Sequence, residues 1–330
     1  FLSACEASRS PDLPQANEAS RATLPASQPG LSVVGEIRAW GSPADGALIE
    51  RLQAGFTKLQ PGARFSNTLH GPESTLAGVY TDSADIAFMA RELRLPMESM
   101  AFQWVKLGKP FQLEIATAGL AGNRPSANLA VLVHKDNPLN RMSLTQLDAI
   151  LGTEHRRGAA VARYWDDLGL ERNWKSQPIH VYGPRIDSIP AQFIRRVVMQ
   201  DSYKWNPAYV ELETDGELVA ALAKDPLGIA YAPLQPGNDK VKALALAVID
   251  AGPFHALDRE SVATRAYPLT RVITVVTSHT PEHPMDPKVR EFLRYVVSAQ
   301  GQAIIEGDGS FIPLSAEVSR QELARLEASP

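Results

Sequence analysis

From residue 33 onward the chain alternates short apolar strand signals with amphipathic helix signals, and this alternation constrains its fold more than any other feature. Residues 33–40 read as a strand that stops at Gly41-Ser42-Pro43. Leu48, Leu52, Phe56 and Leu59 then fall on one helical face, and Pro61-Gly62 ends that run. A strand over 64–69 leads through His70-Gly71-Pro72-Glu73 to a short helix over 74–80, followed by a strand over 84–89. Strand, loop, helix in repeated order predicts an α/β protein built on a mostly parallel sheet, with helices on both faces and right-handed crossovers.

A second unit of the same kind opens at Asn128-Leu129-Ala130-Val131-Leu132-Val133, an unbroken apolar run suited to a buried central strand. Ser143 and Gln146 make a capping box for a helix over 144–151, with Gly152 at its C-terminal cap. Residues 179–182 and 228–231 read as strands, and 189–199 as a helix that turns Phe193, Ile194, Val197 and Val198 inward. The last section runs Tyr267-Pro268-Leu269-Thr270-Arg271 into a strand over 272–276. A helix over 287–300 follows, with Phe292, Leu293, Val296 and Val297 inward. No internal repeat is present.

At 330 residues and 44% apolar composition the chain can bury two cores, since a single core stops growing near ~250–300 residues. A net charge of −4 with both signs interspersed offers no basic field, which argues against a nucleic-acid partner. No apolar stretch approaches the ~20 residues of a membrane-spanning helix, so any membrane link is expected to be an anchor. The single cysteine supplies a candidate. Phe1-Leu2-Ser3-Ala4-Cys5 is similar to the end of a bacterial lipoprotein signal, with Cys5 as the lipidated residue. A chance terminal cysteine is the alternative. Residues 6–31, rich in Ser, Ala, Pro, Asn and Glu, read as a flexible tether.

Enzyme constellations are sparse. His279 and His283 share a proline-broken stretch unsuited to a helical metal pair, and Asp166-Asp167 reads as a solvated turn end. No nucleophile elbow, phosphate-cradling loop or dinucleotide fingerprint occurs. What recurs is a strand, a short hydroxyl-bearing loop and a helix first turn, at Gly41-Ser42, at Glu73-Ser74-Thr75 and at Arg185-Ile186-Asp187-Ser188. A helix first turn exposes unpaired N–H groups and carries about half a positive charge, so three converging on one crevice would hold an anion. Simple helix capping by Ser42, Ser74 and Ser188 is the alternative. Arg91 and Arg185 offer guanidinium forks for an oxyanion, with Glu92 and Asp187 as alternative partners.

Several ordered segments resemble the phosphate-binding proteins of bacterial ABC transporters. They are Ala84-Asp85-Ile86-Ala87 with Ala90-Arg91-Glu92-Leu93, Asp136-Asn137-Pro138-Leu139, Leu144 through Ile150, Gly228-Ile229-Ala230-Tyr231, and Tyr267-Pro268-Leu269-Thr270-Arg271. Phe292-Leu293-Arg294-Tyr295-Val296, Ser298-Ala299-Gln300-Gly301-Gln302 and Ile312-Pro313-Leu314 complete the set. The resemblance implies a two-lobed type II periplasmic-binding fold whose chain crosses between lobes near Asn128 and Tyr267. It places a signal remnant and tether at 1–32, one lobe at 33–128 plus 267–330 and the other at 129–266. It implies a monomeric, non-enzymatic receptor in the periplasm or cell envelope that needs no cofactor or metal and passes a small anion, phosphate above others, to an ABC permease. The implied ligand residues are Ser42, the N–H of Ala44, Ser74, Thr75, Arg91, Arg185 and Ser188. The chain departs from the family pattern at two loops. Gly71-Pro72-Glu73-Ser74-Thr75 delays the hydroxyls and adds a carboxylate, and Ser188-Ile189-Pro190 stands where Ser-Gly-Thr is usual. Pro190 also removes an N–H, so a sensing or interaction protein of the same fold, with altered or lost phosphate binding, is the other reading.

Overall fold

The computed structural model describes residues 24, 26, 30–120, 127–235, 237–280 and 284–328. In the first half, β1 (Gly35–Trp40) is followed by a 3-10 turn (Pro43–Asp45) and α1 (Gly46–Leu59). Next come β2 (Ala63–Thr68), α2 (Thr75–Tyr80), β3 (Ile86–Met89), α3 (Met97–Lys106) and β4 (Phe111–Ala118). The chain then builds β5 (Leu129–His134), β6 (Arg141–Ser143), α4 (Leu144–Leu151), β7 (His180–Pro184) and α5 (Ile189–Val197). It continues through β8 (Tyr209–Leu212), α6 (Asp215–Leu222), β9 (Gly228–Pro233), β10 (Val241–Ala243), β11 (Ala245–Ala247) and α7 (Arg259–Ala263). Finally β12 (Val272–Thr277), α8 (Pro287–Val296), α9 (Ala299–Asp308), β13 (Phe311–Ile312) and α10 (Ala316–Glu327) close the structure.

Two main sheets result. The first has the order β13-β4-β12-β3-β1-β2 and the second β10-β5-β9-β7-β8, with β11 and β6 forming a separate pair. Parallel pairing is confined to one block of each sheet: β2, β1 and β3 in the first, and β8, β7 and β9 in the second. β12 returns to the first sheet from the second and pairs antiparallel with both β3 and β4. The sheets are therefore mixed, and the C-terminal ends of each parallel block lie along one edge. That edge is where the hydroxyl-bearing loops emerge.

Each sheet has its own core. In the first, Phe56, Phe65 and Phe292 interlock with ring centroids 5.0–6.1 Å apart, the separation of favourable edge and tilted aromatic pairs. In the second, fully buried Trp165 packs edge-on to Trp174 at 5.8 Å and satisfies its N–H on the carbonyl of Leu227 at 3.1 Å. The capping box at α4 forms as the sequence predicts: Gln146 N donates to Ser143 Oγ and Ser143 N to Gln146 Oε1. The helix expected over 287–300 is two helices, because Ser298 ends α8 by bonding the carbonyl of Tyr295 and then caps α9 at the N–H of Gly301. Leu59, expected on the buried face of α1, is 44% exposed at that helix's last position.

The chain leaves the first sheet after Ala118, enters the second at Leu129 and returns to the first at Val272, and the residues flanking these two crossings are stitched together. Asn128, fully buried, donates to the carbonyls of Ala118 and Gly119 at 2.6 and 3.2 Å and accepts from Arg271 N at 2.7 Å. Ala118 N donates to the carbonyl of Arg271 at 3.0 Å, and the Tyr267 hydroxyl donates to that of Leu129 at 2.9 Å. No helix among the described residues is long and apolar enough to cross a membrane.

Because Phe292 is fully buried and meets Phe56, Phe65 and Phe88, Phe292→Ala should leave a cavity that lowers stability by about 3–5 kcal/mol. Urea unfolding followed by circular dichroism measures this, and a loss under about 1 kcal/mol would contradict the packing described.

Candidate functional site

The loops after β1 and β2 leave the same edge of the parallel block and are tied to each other: Gly71 N donates to the carbonyl of Gly41 at 3.3 Å. Gly71 holds a φ of +118°, a conformation that side-chain-bearing residues rarely adopt, so the turn into Pro72 and Glu73 depends on glycine here. In the first loop Ser42 caps the 3-10 turn, its Oγ accepting from Ala44 N at a long 3.4 Å. The Ala44 N–H is thus only weakly engaged, while the neighbouring Asp45 is buried. In the second loop Thr75 is buried and its hydroxyl donates to the carbonyl of Gly71 at 2.8 Å, with Ser74 donating to the same atom at 3.3 Å. These hydroxyls shape the loop, and the side chain of Ser74 makes no helix-capping bond.

The segment after β3 braces that loop. Arg91 is almost fully buried, and its fork meets Glu98 at 2.9 and 2.6 Å while also donating to the carbonyls of Pro72 at 2.7 Å and Glu92 at 2.9 Å. The carboxylate partner of Arg91 is therefore Glu98, at the start of α3, rather than its sequence neighbour Glu92. Arg94 reaches back to Glu73 at 3.1 Å, so the carboxylate that intrudes into the second loop is already paired.

The third loop, on the second sheet, starts after β7. Ser188 caps α5 by accepting from Ala191 N at 3.3 Å, and the proline at position 190 sits in the first turn. Arg185 is exposed and pairs with Asp187, both contacts at 3.2 Å, and more loosely with Glu213 at 3.7 Å. The hydrogen bond from Arg185, helped by its charge and by that of Arg94 on the first lobe, holds the Asp187 carboxyl below the usual carboxylate range. The structure brings Ser42, Ala44, Ser74 and Thr75 together on one lobe and Arg185 with Ser188 on the other.

Arg271 occupies the junction between lobes. It is 1% exposed and grips Glu92 through two bonds, Nε at 2.8 Å and Nη2 at 2.6 Å, with Nη1 donating to the carbonyl of Ala127 at 2.9 Å. Its guanidinium lies over the ring of Phe193 on α5 at 5.6 Å. Burial alone would push Glu92 up, but the charge and hydrogen bonds of Arg271 outweigh it and hold the carboxyl below its ordinary value. Asp215, at the start of α6, is raised by burial and only partly compensated by the charge of Arg271. Sequence reasoning missed Glu98, Arg94 and the pairing of Glu92 with Arg271; the signal available was the Tyr-Pro-Leu-Thr-Arg run ending at Arg271. Among the described residues no group of three or more His, Cys, Asp or Glu side chains is placed to hold a metal ion.

Two α/β lobes, joined by a hydrogen-bonded double crossing and each carrying helix-initiating loops at the C-terminal ends of its parallel strands, define the class of two-lobed solute-binding proteins. The chain belongs to the PBP superfamily, whose domain model matches residues 26–300. It is 25% identical over 305 residues to the phosphate-binding protein PstS of Pseudomonas aeruginosa, covering 92% of this chain and 90% of that one. Its fold is also similar to the crystal structure of PstS from Borrelia burgdorferi, with a TM-score of 0.57, 16% identity and coverage of 85% of this chain and 99% of the other. An ABC-type phosphate transport receptor from Vibrio cholerae superposes with a TM-score of 0.54 at 16% identity, over 84% of this chain and all of that one.

Two outcomes follow from the buried ion pairs. Glu98→Gln leaves the Arg91 charge buried without its partner and should destabilise the protein by about 3 kcal/mol in chemical unfolding; an unchanged midpoint would contradict it. Glu92, held below its ordinary value of 4.5, contributes stability that is complete above that pH and lost as pH falls through its lowered value. The gap in Tm between the wild type and Glu92→Gln should therefore shrink as pH drops below 4.5, and a constant gap would contradict the assignment.

Proposed function

We propose that this chain is an extracytoplasmic receptor that captures phosphate between its lobes and delivers it to an ABC transporter, acting as a binder rather than a catalyst. The observation that carries this reading is the stitched pair of loops at Gly41-Ser42 and Gly71–Thr75, tied by the Gly71–Gly41 bond at one sheet edge. The likeness along nearly the whole chain to a phosphate-binding PstS supports it. Ser42 and the Ala44 N–H, Ser74 and Thr75 would approach the anion from one lobe, and Arg185 and Ser188 from the other. Arg91 would support the second loop through Pro72 and Glu98. The lobes would comprise 33–128 with 267–330, and 129–266. Cys5, the proposed lipid anchor, lies outside the described residues. The partner would be a permease engaged by a monomer, with no nucleic acid involved.

Glu73 and Asp187 give the site a selectivity. Both are exposed, paired with arginines and able to accept hydrogen bonds. An oxyanion that still carries a proton can donate a hydrogen bond through its O–H to such a carboxylate, whereas a fully deprotonated anion leaves two negative charges facing each other. A second reading, a sensing or interaction protein with lost phosphate binding, is favoured by the pairing of Arg185 with Asp187 and Glu213.

Calorimetry on ligand-stripped protein separates the two readings. Phosphate and arsenate should bind, sulfate should bind at least about 10-fold more weakly, and Arg185→Ala or Ser188→Ala should weaken phosphate binding by about 10-fold. No heat with any of the three anions at millimolar concentration would overturn phosphate capture in favour of the second reading.

A further inference from the structure

The segment 90–98 touches the second loop directly and is linked to the helix of the third loop through Arg271. Arg91 reaches down to the second loop through the carbonyl of Pro72. Its neighbour Glu92 reaches in the other direction, to Arg271 on the return crossing. Arg271 in turn is fixed at its backbone by Asn128 and Ala118 and at its side chain by the carbonyl of Ala127. Its guanidinium lies over the ring of Phe193, on the second turn of the helix that Ser188 initiates. The charge of Arg196, from the same helix, also acts on Glu92. A continuous line of contacts therefore runs from Pro72 through Arg91, Glu92, Arg271 and Phe193 to the helix bearing the third loop.

A bidentate carboxylate–guanidinium pair has a defined geometry, and both members here are withdrawn from water, so the pair tolerates little displacement. Glu92 lies in the segment after β3 of the first sheet, Arg271 just before β12 on the return crossing, and Phe193 on α5 of the second lobe. Moving α5 away from the first lobe separates Phe193 from the Arg271 guanidinium and removes this contact between the crossing and the second lobe. We infer that Glu92 and Arg271 form a positioning pair that, through Phe193, holds α5 against the edge of the first sheet and so sets the lobe arrangement in which the two halves of the site face each other. The role in anion affinity rests on the phosphate reading above; the role in lobe arrangement does not.

The test uses the full chain with and without phosphate. Glu92→Gln keeps the shape and removes the charge, and Phe193→Leu keeps an apolar contact and removes the aromatic face. Arg195→Gln is the control, since Arg195 is equally buried but pairs with Asp201 and Tyr203 inside the second lobe. Without any anion, small-angle scattering should give a larger radius of gyration for Glu92→Gln and Phe193→Leu than for the wild type, with unchanged far-UV circular dichroism. The control should keep the wild-type radius. Phosphate affinity should fall about 10-fold in the first two variants, within the usual range for coupled sites, and stay within about 2-fold in the control. Glu92→Asp, which retains the charge, should recover part of the loss. An unchanged radius in both Glu92→Gln and Phe193→Leu would overturn the inference. So would a control that loses affinity as fully as they do at an equal fall in Tm. If the wild type binds no anion, phosphate capture fails while the scattering comparison still decides the positioning pair.

Discussion

The structure depends on how two independently packed lobes are joined, and the joint is a small, dry network around Asn128. Its amide donates to Ala118 and Gly119 on the outgoing strand and accepts from Arg271 on the returning one, so both crossings share a single side chain. A buried amide with satisfied donors and acceptor fixes register where no sheet continues. Arg271 then carries that register outward to Glu92 and Phe193. The helix that carries the third loop meets this joint through Phe193. The loops of the first lobe are braced by Arg91, and the loop of the second rides on α5.

The charges around the cleft are arranged in pairs. Glu73 has Arg94, Asp187 has Arg185, Glu98 has Arg91 and Glu92 has Arg271. The exposed pairs at the rim contribute little to stability and can exchange partners when an anion arrives. The buried pairs cannot, because separating them leaves a charge in a dry interior. The same residue types therefore divide by burial into adaptable groups at the entrance and rigid groups beneath. That division explains why Arg91, a good anion fork by chemistry, serves here as part of the frame.

Much of the fold was legible in the sequence because its signals are local. The apolar run at 129–133, the capping box at Ser143 and Gln146 and the helical spacing of Leu48, Leu52 and Phe56 each depend on a few adjacent residues. The break between α8 and α9 was not, since Ser298 reads as a continuation until its bond to Tyr295 is seen. α3 was passed over because Met97, Met100, Trp104 and Val105 are exposed and only Phe102 is buried, so its apolar residues do not mark a buried stripe. At the site the hydroxyl loops were readable, whereas the partners of Arg91 and Arg271 were not. Glu92 lies 179 positions from Arg271, and no spacing rule connects them.

The proposed phosphate site lies between Ser42, Ser74 and Thr75 on one lobe and Arg185 and Ser188 on the other. A crystal structure grown with phosphate tests it most directly. Tetrahedral density is expected between the lobes, contacted from both, with the Glu92–Arg271 pair intact. Density confined to one lobe, or a cleft filled by solvent alone at saturating phosphate, would contradict it.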